Sequence, residues 1–358
     1  MPHPQLSEAL IDRGFAEREE REAKSVFWAR PNLYHHKPHC QKSVMFPFKS
    51  VKDYKLNFSS YKIPFRHPLK TSHGVWSIRE GIIINLTDDR GKTGQGEIAP
   101  LPWFGSETLE SALAFCQQFA GSIIEEQIAN IPDNLPACQF GFTSALEDLS
   151  FLDKKHENSD FTCSYLLPAG EGALTILKEL SSETSQKLNQ TFKWKIGVED
   201  IKREREIFTK IVNQLSPQSK LRLDANGGLN YYQAQEWLKL ADNSGIVEFL
   251  EQPLNPQKLN LMLKLSENYT TPLALDESVA NIKQLHDRFV DGWRGIFVIK
   301  AAIIGSPILL RRFCRQNQID AVFSSVFEST IGRKAVLRLA AELSNPNRAL
   351  GFGVEHWF

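Results

Sequence analysis

Five apolar runs in the second half of the chain end in ionisable residues, at the points where buried strands should give way to loops. They are FKWKIG with Lys193 and Lys195, LRLDANG with Asp224, EFLEQP with Glu251, LALDES with Asp276, and FVIKAA with Lys300. From Lys195 onward the successive gaps are 29, 27, 25 and 24 residues, one strand-and-helix unit each time. Carboxylates on three successive strand ends raise one another's pKa unless a cation intervenes. An all-oxygen set selects a hard cation. Mg²⁺ held octahedrally by Asp224, Glu251 and Asp276, with water and substrate oxygens completing the sphere, fits best, and Mn²⁺ shares those preferences. The lysines then fall on either side of the metal. A partly desolvated lysine beside a divalent cation has its ammonium form disfavoured, which suits it to act as a general base. A metal on a substrate carboxylate counters the charge of the enediolate left when the α-proton departs. The expected chemistry is therefore proton abstraction α to a carboxylate. Taken singly, each carboxylate is explained as well by a helix cap or a lysine partner, and Lys193 or Lys195 by snorkelling to solvent. Three carboxylates in register on consecutive strands reverse those odds.

Such convergence requires parallel strands whose C-terminal ends meet at one mouth. After Cys163 there are eight short apolar runs separated by helical segments: CSYLLPAG, TFKWKIG, KLRLDANG, IVEFLEQPL, PLALDESV, GIFVIKAA, DAVFSSVFES and ALGFGV. Eight strands alternating with helices predict a closed (β/α) barrel. An open doubly wound sheet would need a glycine-rich turn for its usual nucleotide, and no GxGxxG or Walker-type loop occurs. The N-terminal part differs. LNFSSYKIPF, SIREGIIINLT, the turn TDDRGKTG and GQGEIAP predict a small antiparallel sheet. Helices are expected from Ser106 through SETLESALAFCQQFAG and over about Ala137 to Leu152, which makes a small α+β domain.

Composition limits the partners. The chain has 358 residues, 42 basic and 42 acidic, with no long block of like charge, which argues against nucleic acid and for a small molecule. No apolar run approaches the roughly 18–20 residues needed to span a bilayer, and the N-terminus lacks a signal pattern, so a cytoplasmic protein is expected. Five scattered cysteines (Cys40, Cys116, Cys138, Cys163, Cys314) without a CxxC pair predict reduced, mostly buried thiols. Residues 1–48 read as an extension, with Met45 a candidate natural start. His35, His36, His39 and Cys40 lie close together there but match no zinc spacing.

KWK, LDAN, EQP, DES and VIKAAIIGS, in this order and at these intervals, resemble the enolase superfamily in its muconate-lactonizing branch, over residues 54–358. Within that branch GEIAPLPWFGSETLE, IKAAIIGS and SSVFESTIG are similar to the o-succinylbenzoate synthase family, dehydratases of menaquinone and phylloquinone biosynthesis. The resemblance implies an α/β fold: a modified TIM barrel of (β/α)7β type with an N-terminal α+β capping domain. The capping domain would cover 49–155, the barrel 156–340, and the last strand with its return toward the cap 341–358. It also implies a metal-dependent syn dehydration of 2-succinyl-6-hydroxy-2,4-cyclohexadiene-1-carboxylate to 2-succinylbenzoate. Lys195 would remove the α-proton and then protonate the leaving hydroxyl, Lys193 would help neutralise the enediolate, and Lys300 would face the other side of the ring as a cation.

Further candidates follow from the same resemblance. His73, Gly74 and Trp76 lie where relatives carry a mobile loop over the site. Ser324, Ser325 and Glu328 are candidates to orient the succinyl arm, Gly305 and Ser306 to donate backbone N–H groups to a carboxylate, and Asn226 to sit beside the metal. Gly227-Gly228 departs from the larger residue relatives often place after the asparagine. Rival readings are an N-acylamino acid racemase, a dipeptide epimerase or a barrel kept as a scaffold. An epimerase would carry a DxD on the last strand where GFGVEHWF offers only Glu355, and a scaffold would not keep all five charged positions.

Overall fold

The first four strands alternate buried and exposed residues, as a half-buried antiparallel sheet requires. The computed structural model describes residues 52–71, 74–151, 161–184, 190–354 and 357. Expectations that rest on residues 1–48, on His73 and on Glu355 lie outside the described residues. Strands β1 (Asp53–Thr71), β2 (Gly74–Thr87), β3 (Thr93–Ile98) and β4 (Ile123–Ile124) form one sheet in the order β3-β2-β1-β4. Ile82, Ile84 and Leu86 of β2 point into the core at 0% exposure. The β2–β3 turn closes on Asp88, whose carboxylate accepts from the N–H groups of Arg90 and Lys92 (3.0 and 2.8 Å).

Helices α1 (Leu109–Gln118), α2 (Glu125–Ala129) and α3 (Pro136–Phe151) complete this part. Helix α1 begins later than expected. Thr108, not Ser106, is its cap, accepting from the Ser111 N–H, while the Ser106 hydroxyl accepts from the Leu101 N–H (2.6 Å). The cap sheet meets α3 backbone to backbone. A Cβ at Gly96 would lie 2.0 Å from the Gly141 carbonyl oxygen, and one at Gly94 would lie 2.2 Å from that of Ala145.

Each of the eight apolar runs contains a strand: β5 (Cys163–Leu166), β6 (Thr191–Lys195), β7 (Lys220–Asp224), β8 (Val247–Glu251), β9 (Leu273–Leu275), β10 (Ile296–Ile299), β11 (Ala321–Phe323) and β12 (Leu350–Gly353). They pair in parallel in the order β11-β10-β9-β8-β7-β6-β5-β12, and a parallel bridge from Ser324 to Gly351 joins the two ends. That closure makes a barrel and excludes the open doubly wound sheet. Helices α4 (Gly172–Thr184), α5 (Ile201–Gln214), α6 (Tyr231–Ser244), α7 (Leu259–Asn268), α8 (Ile282–Val290), α9 (Ala301–Ile304), α10 (Pro307–Asn317) and α11 (Thr330–Leu343) fill the crossovers, giving (β/α)7β.

The strands are buried on both faces, which is why they read as nearly continuous apolar runs. Side chains alternate along β7, so Arg222 and Asp224 both face the interior, Arg222 below and Asp224 at the mouth. Arg222 pairs with Glu248 (2.6 Å), donates to the Ala349 carbonyl (2.7 Å) and lies over the Phe249 ring (4.8 Å). Arg348 bonds both Glu248 (3.0 Å) and Asp320 (2.7 Å), so the lower end of the barrel is filled by paired charge. Among the described residues no helix is long and apolar enough to cross a membrane. Burial pushes the Cys116 and Cys314 thiols up to about 12, which leaves them inert.

The contact between β3 and α3 leaves no room for a methyl group. Gly96→Ala is expected to destabilise the protein by about 1–3 kcal/mol or more, the range for an overpacked core, read as a lowered midpoint in chemical denaturation. An unchanged midpoint would show that the strand and helix separate freely.

Candidate active site

The barrel brings the six ionisable side chains together at its mouth, with Lys193 reaching up from one layer below Lys195. Lys195 is in register with Asp224, and Asp224 with Glu251, each the last residue of its strand. Asp276 and Lys300 follow directly on β9 and β10. Three brackets hold these ends. The Gln252 side chain, 0% exposed, accepts from the N–H groups of Asp276 and Ser278 (both 3.1 Å) and donates to the Leu254 carbonyl and the Ser278 hydroxyl (both 2.8 Å), tying the end of β8 to that of β9. The Asn226 N–H donates to Asp224 (3.0 Å). Beyond Lys195, the buried Glu204 carboxylate accepts from the N–H groups of Gly197, Val198 and Glu199 (2.8, 2.8 and 3.0 Å).

Charge is unevenly matched here. The Lys193 ammonium bridges Asp224 (2.8 Å) and Glu251 (2.7 Å), and Lys300 is bonded to Asp276. Burial works against the Lys193 ammonium, but Asp224, Glu251 and Asp276 outweigh it and hold its pKa above the ordinary lysine value. Burial likewise opposes ionisation of Asp224, yet Lys193 and the Asn226 N–H bring it below the usual range. Glu251 fares differently: burial, then the charge of Asp224, push it up to about 8 despite Lys193. Lys195 has no ion-pair partner among the described residues.

These groups sit at the floor of a cavity of about 490 Å³, within the usual range for a small-molecule site. Lys193, Lys195, Asp224, Asn226, Asp276 and Lys300 all line it, with Glu251 just behind Lys193. Aromatic rings of the cap, met by Phe327 from the barrel loop after β11, form the roof. The Phe65, Trp76 and Phe327 rings meet edge to face with centroids 4.9–5.5 Å apart, Trp103 meets Trp76 at 5.0 Å, and Phe104 lies 3.9 Å from the Lys300 ammonium.

Of the other predicted contacts, Trp76, Ser324 and Ser325 line the cavity. Trp76 belongs to strand β2 rather than to a loop, since β1 and β2 extend to Thr71 and Gly74. Gly305, Ser306 and Glu328 are not brought to it. The short helix α9 carries Gly305 away to Gln139 of α3, where a Cβ would lie 2.9 Å from the side-chain oxygen. Glu328 turns inward, accepting from the Ser325 hydroxyl (2.9 Å) and the Val326 N–H (2.7 Å). Sequence reasoning missed Glu277, which lines the cavity, accepts from the Asn226 side chain (3.0 Å), and is pushed up to about 7 by burial, Asp276 and Asp224. A second acid in DES was the available signal. Phe104 and Phe327 were missed because only the folded chain brings them over the barrel.

The donor set fits a hard divalent cation: three buried carboxylates on adjacent strand ends, one of them with its pKa raised by burial and by the neighbouring Asp224 charge. As the side chains stand, no three metal-binding groups among the described residues surround one point, because lysine ammonium groups lie against the carboxylates.

The chain matches the family described as "Enolase C-terminal domain-like" over residues 176–357 and "MenC, N-terminal domain" over residues 53–149. It is 41% identical over 304 residues to the o-succinylbenzoate synthase of Thermosynechococcus vestitus, covering 83% of this chain and 91% of the relative. The o-succinylbenzoate synthase of Pasteurella multocida is 28% identical, covering 83% of this chain and 88% of the relative. The crystal structure of the o-succinylbenzoate synthase from Thermosynechococcus elongatus BP-1, with magnesium in its active site, superposes with a TM-score of 0.77 at 39% identity, covering 85% of this chain and 94% of that one. The L-Ala-D/L-Glu epimerase of Bacillus subtilis shares the fold at 21% identity, with a TM-score of 0.69 and coverage of 85% and 90%.

The raised pKa of Glu251 has a sign that stability can read. Between the ordinary glutamate value and about 8, the folded protein binds more protons than the unfolded chain, so stability falls as pH rises through that window. Glu277, at about 7, acts in the same direction. For metal-free protein, stability is expected to fall between about pH 5 and about pH 8.5, followed as thermal midpoint. Glu251→Gln should flatten the profile; parallel profiles would place the strain elsewhere.

Proposed function

The chain belongs to the o-succinylbenzoate synthases, hydro-lyases of the enolase superfamily, and we propose that the residues at its barrel mouth perform the syn dehydration of 2-succinyl-6-hydroxy-2,4-cyclohexadiene-1-carboxylate. The product is 2-succinylbenzoate, in menaquinone or phylloquinone biosynthesis. The observation that carries the assignment of roles is the difference among the three lysines. Lys193 and Lys300 are each held against carboxylates, whereas Lys195, on the same strand face as Lys193, has no such partner among the described residues. A base must give up its proton before it can take another, and only a lysine outside an ion pair does so readily.

Lys195, as the neutral amine, accepts the α-proton. The electron pair of the broken C–H bond is taken up first by the substrate carboxylate as an enediolate and then forms the new ring double bond as the C–O bond breaks, while the proton on Lys195 passes to the departing hydroxyl, which leaves as water. Syn geometry lets one amine serve both transfers. Lys193, kept charged by Asp224 and Glu251, supports the negative charge that builds on the substrate carboxylate. Lys300, fixed between Asp276 and the Phe104 ring, presents a cation to the opposite face of the substrate ring. Asp224, Glu251 and Asp276 would hold Mg²⁺, the ion in the Thermosynechococcus relative's active site, and Asn226 would support Asp224 from behind. When bound, the ion supplies fixed positive charge beside the substrate carboxylate where negative charge develops, a role Mn²⁺ can share.

In this reading the capping domain of 49–155 provides the aromatic roof, with Trp76 against the substrate. The barrel of 156–340 provides the charged floor and the hydroxyls of Ser324 and Ser325, and the last segment, 341–358, provides the side wall through Gly351, Gly353, Val354 and Trp357. The partner is a small carboxylate in the cytoplasm.

Turnover of the cyclohexadiene substrate by the purified protein, followed by absorbance, tests the reading. It should require Mg²⁺, vanish with a chelator and return when the ion is restored. Lys195→Ala should lower kcat by at least about 10³-fold, on the scale of general acid–base contributions, with the thermal midpoint little changed; full turnover would refute the mechanism. Glu251→Gln should weaken Mg²⁺ binding at least about tenfold by calorimetry, and unchanged affinity would misplace the ion.

A further inference from the structure

Behind the aromatic roof, cap and barrel are joined by a carboxylate that the dehydration does not use. Glu97 of β3 is 0% exposed. It accepts from the Tyr61 hydroxyl of β1, from the N–H (2.9 Å) and hydroxyl of Ser329, and from the N–H of Gly332 (2.9 Å). Ser329 caps α11 and Gly332 lies in its first turn. Two glycines make room for the approach. A Cβ at Gly332 would lie 2.6 Å from the Glu97 carboxylate, and a Cβ at Gly81 would lie 2.5 Å from the Tyr61 hydroxyl.

The segment entering α11 is a wall of the cavity: Ser324, Ser325, Val326 and Phe327 all line it. Phe327 holds a positive φ of 60° and sets its ring against Phe65 and Trp76 of the cap. Glu328 braces the same segment from within. Buried Arg79 of β2 provides the neutralising charge facing both Glu97 and Glu328, its guanidinium donating to the Glu80 and Pro100 carbonyls (3.0 and 2.8 Å). Glu97 therefore ties the loop wall, carried by the barrel, to the cap at the N-terminus of α11, while Asp148 of α3 holds later turns of that helix through Lys334 (3.2 Å) and Arg338 (3.0 Å). The six charged residues on β6 to β10 depend on separate brackets.

We propose that Glu97 is a positioning residue: through the N-terminus of α11 it sets the Ser324–Phe327 wall against the cap aromatics, and so fixes the fit of the substrate without touching the reacting atoms. The inference rests on the dehydratase reading for what binds in the cavity.

The test uses the full chain with Mg²⁺ and two variants that break the clasp from opposite sides. Glu97→Gln removes the charge. Gly332→Ala crowds the carboxylate while placing a better helix former in α11, so a purely structural role predicts no loss of substrate affinity there. Both should raise KM at least about tenfold and leave kcat within about threefold, because the charged floor is untouched. In the same variants the amides of 324–329 should exchange hydrogen at least about tenfold faster, while those of β6 to β8 keep the wild-type rate. A KM within twofold of wild type, or loop amides exchanging at the wild-type rate, would overturn the clasp. A wild-type protein that turns over no substrate would overturn the dehydratase reading instead, and hydrogen exchange alone would then decide the clasp.

Discussion

Like charge crowded out of water is the constraint on which the rest of this structure depends. Three carboxylates at adjacent strand ends, two of them with exposures of 2% or less, repel one another in a setting where solvent screens little. Nothing in a flexible chain would hold such a group together. A closed parallel barrel does so, because the hydrogen-bonded ladder fixes the register of Lys195, Asp224 and Glu251. Gln252 then extends that order past the last ladder bond to Asp276. Lysines supply part of the missing charge, and the deficit that remains is what a divalent ion fills.

The two ends of the barrel solve the same electrostatic problem differently. At the lower end Arg222, Glu248, Arg348 and Asp320 satisfy one another through short bonds. At the mouth the acids outnumber the bases in contact with them, and Glu251 is left with its pKa pushed up to about 8. Strand β7 carries both arrangements on one face, two residues apart. A buried pair that is complete adds rigidity, whereas an incomplete one is poised to bind. In this molecule the incomplete set faces the cavity.

Much of this could be read from the residues. Strands buried on both faces leave uninterrupted apolar runs, and a charged residue ending such a run stands out, so Lys195, Asp224, Glu251, Asp276 and Lys300 were visible as a set. What escaped lay where a local rule stops. Alternation would turn Glu277 away from Asp276, but the chain leaves β9 at Leu275 and enters a single 3-10 turn over Glu277–Val279, where both acids can face the cavity. Ser106 and Thr108 offer the same capping chemistry two residues apart, and only the preceding turn at Pro102–Phe104 engages one of them elsewhere. Gly305 and Ser306 follow a barrel strand yet are removed from the mouth by one turn of helix. Each miss comes from a few residues of irregular backbone whose path is set by distant contacts.

The paired charges that fill the lower end of the barrel also bear on traffic. With Arg222, Phe249 and Arg348 in the way, the cavity at the mouth has no passage through the barrel axis. The substrate, the aromatic product and the water molecule formed beside it must therefore enter and leave on the mouth side of the barrel, beneath the cap. The aromatic rings of the roof thus stand over the same end of the barrel by which the cavity both fills and empties.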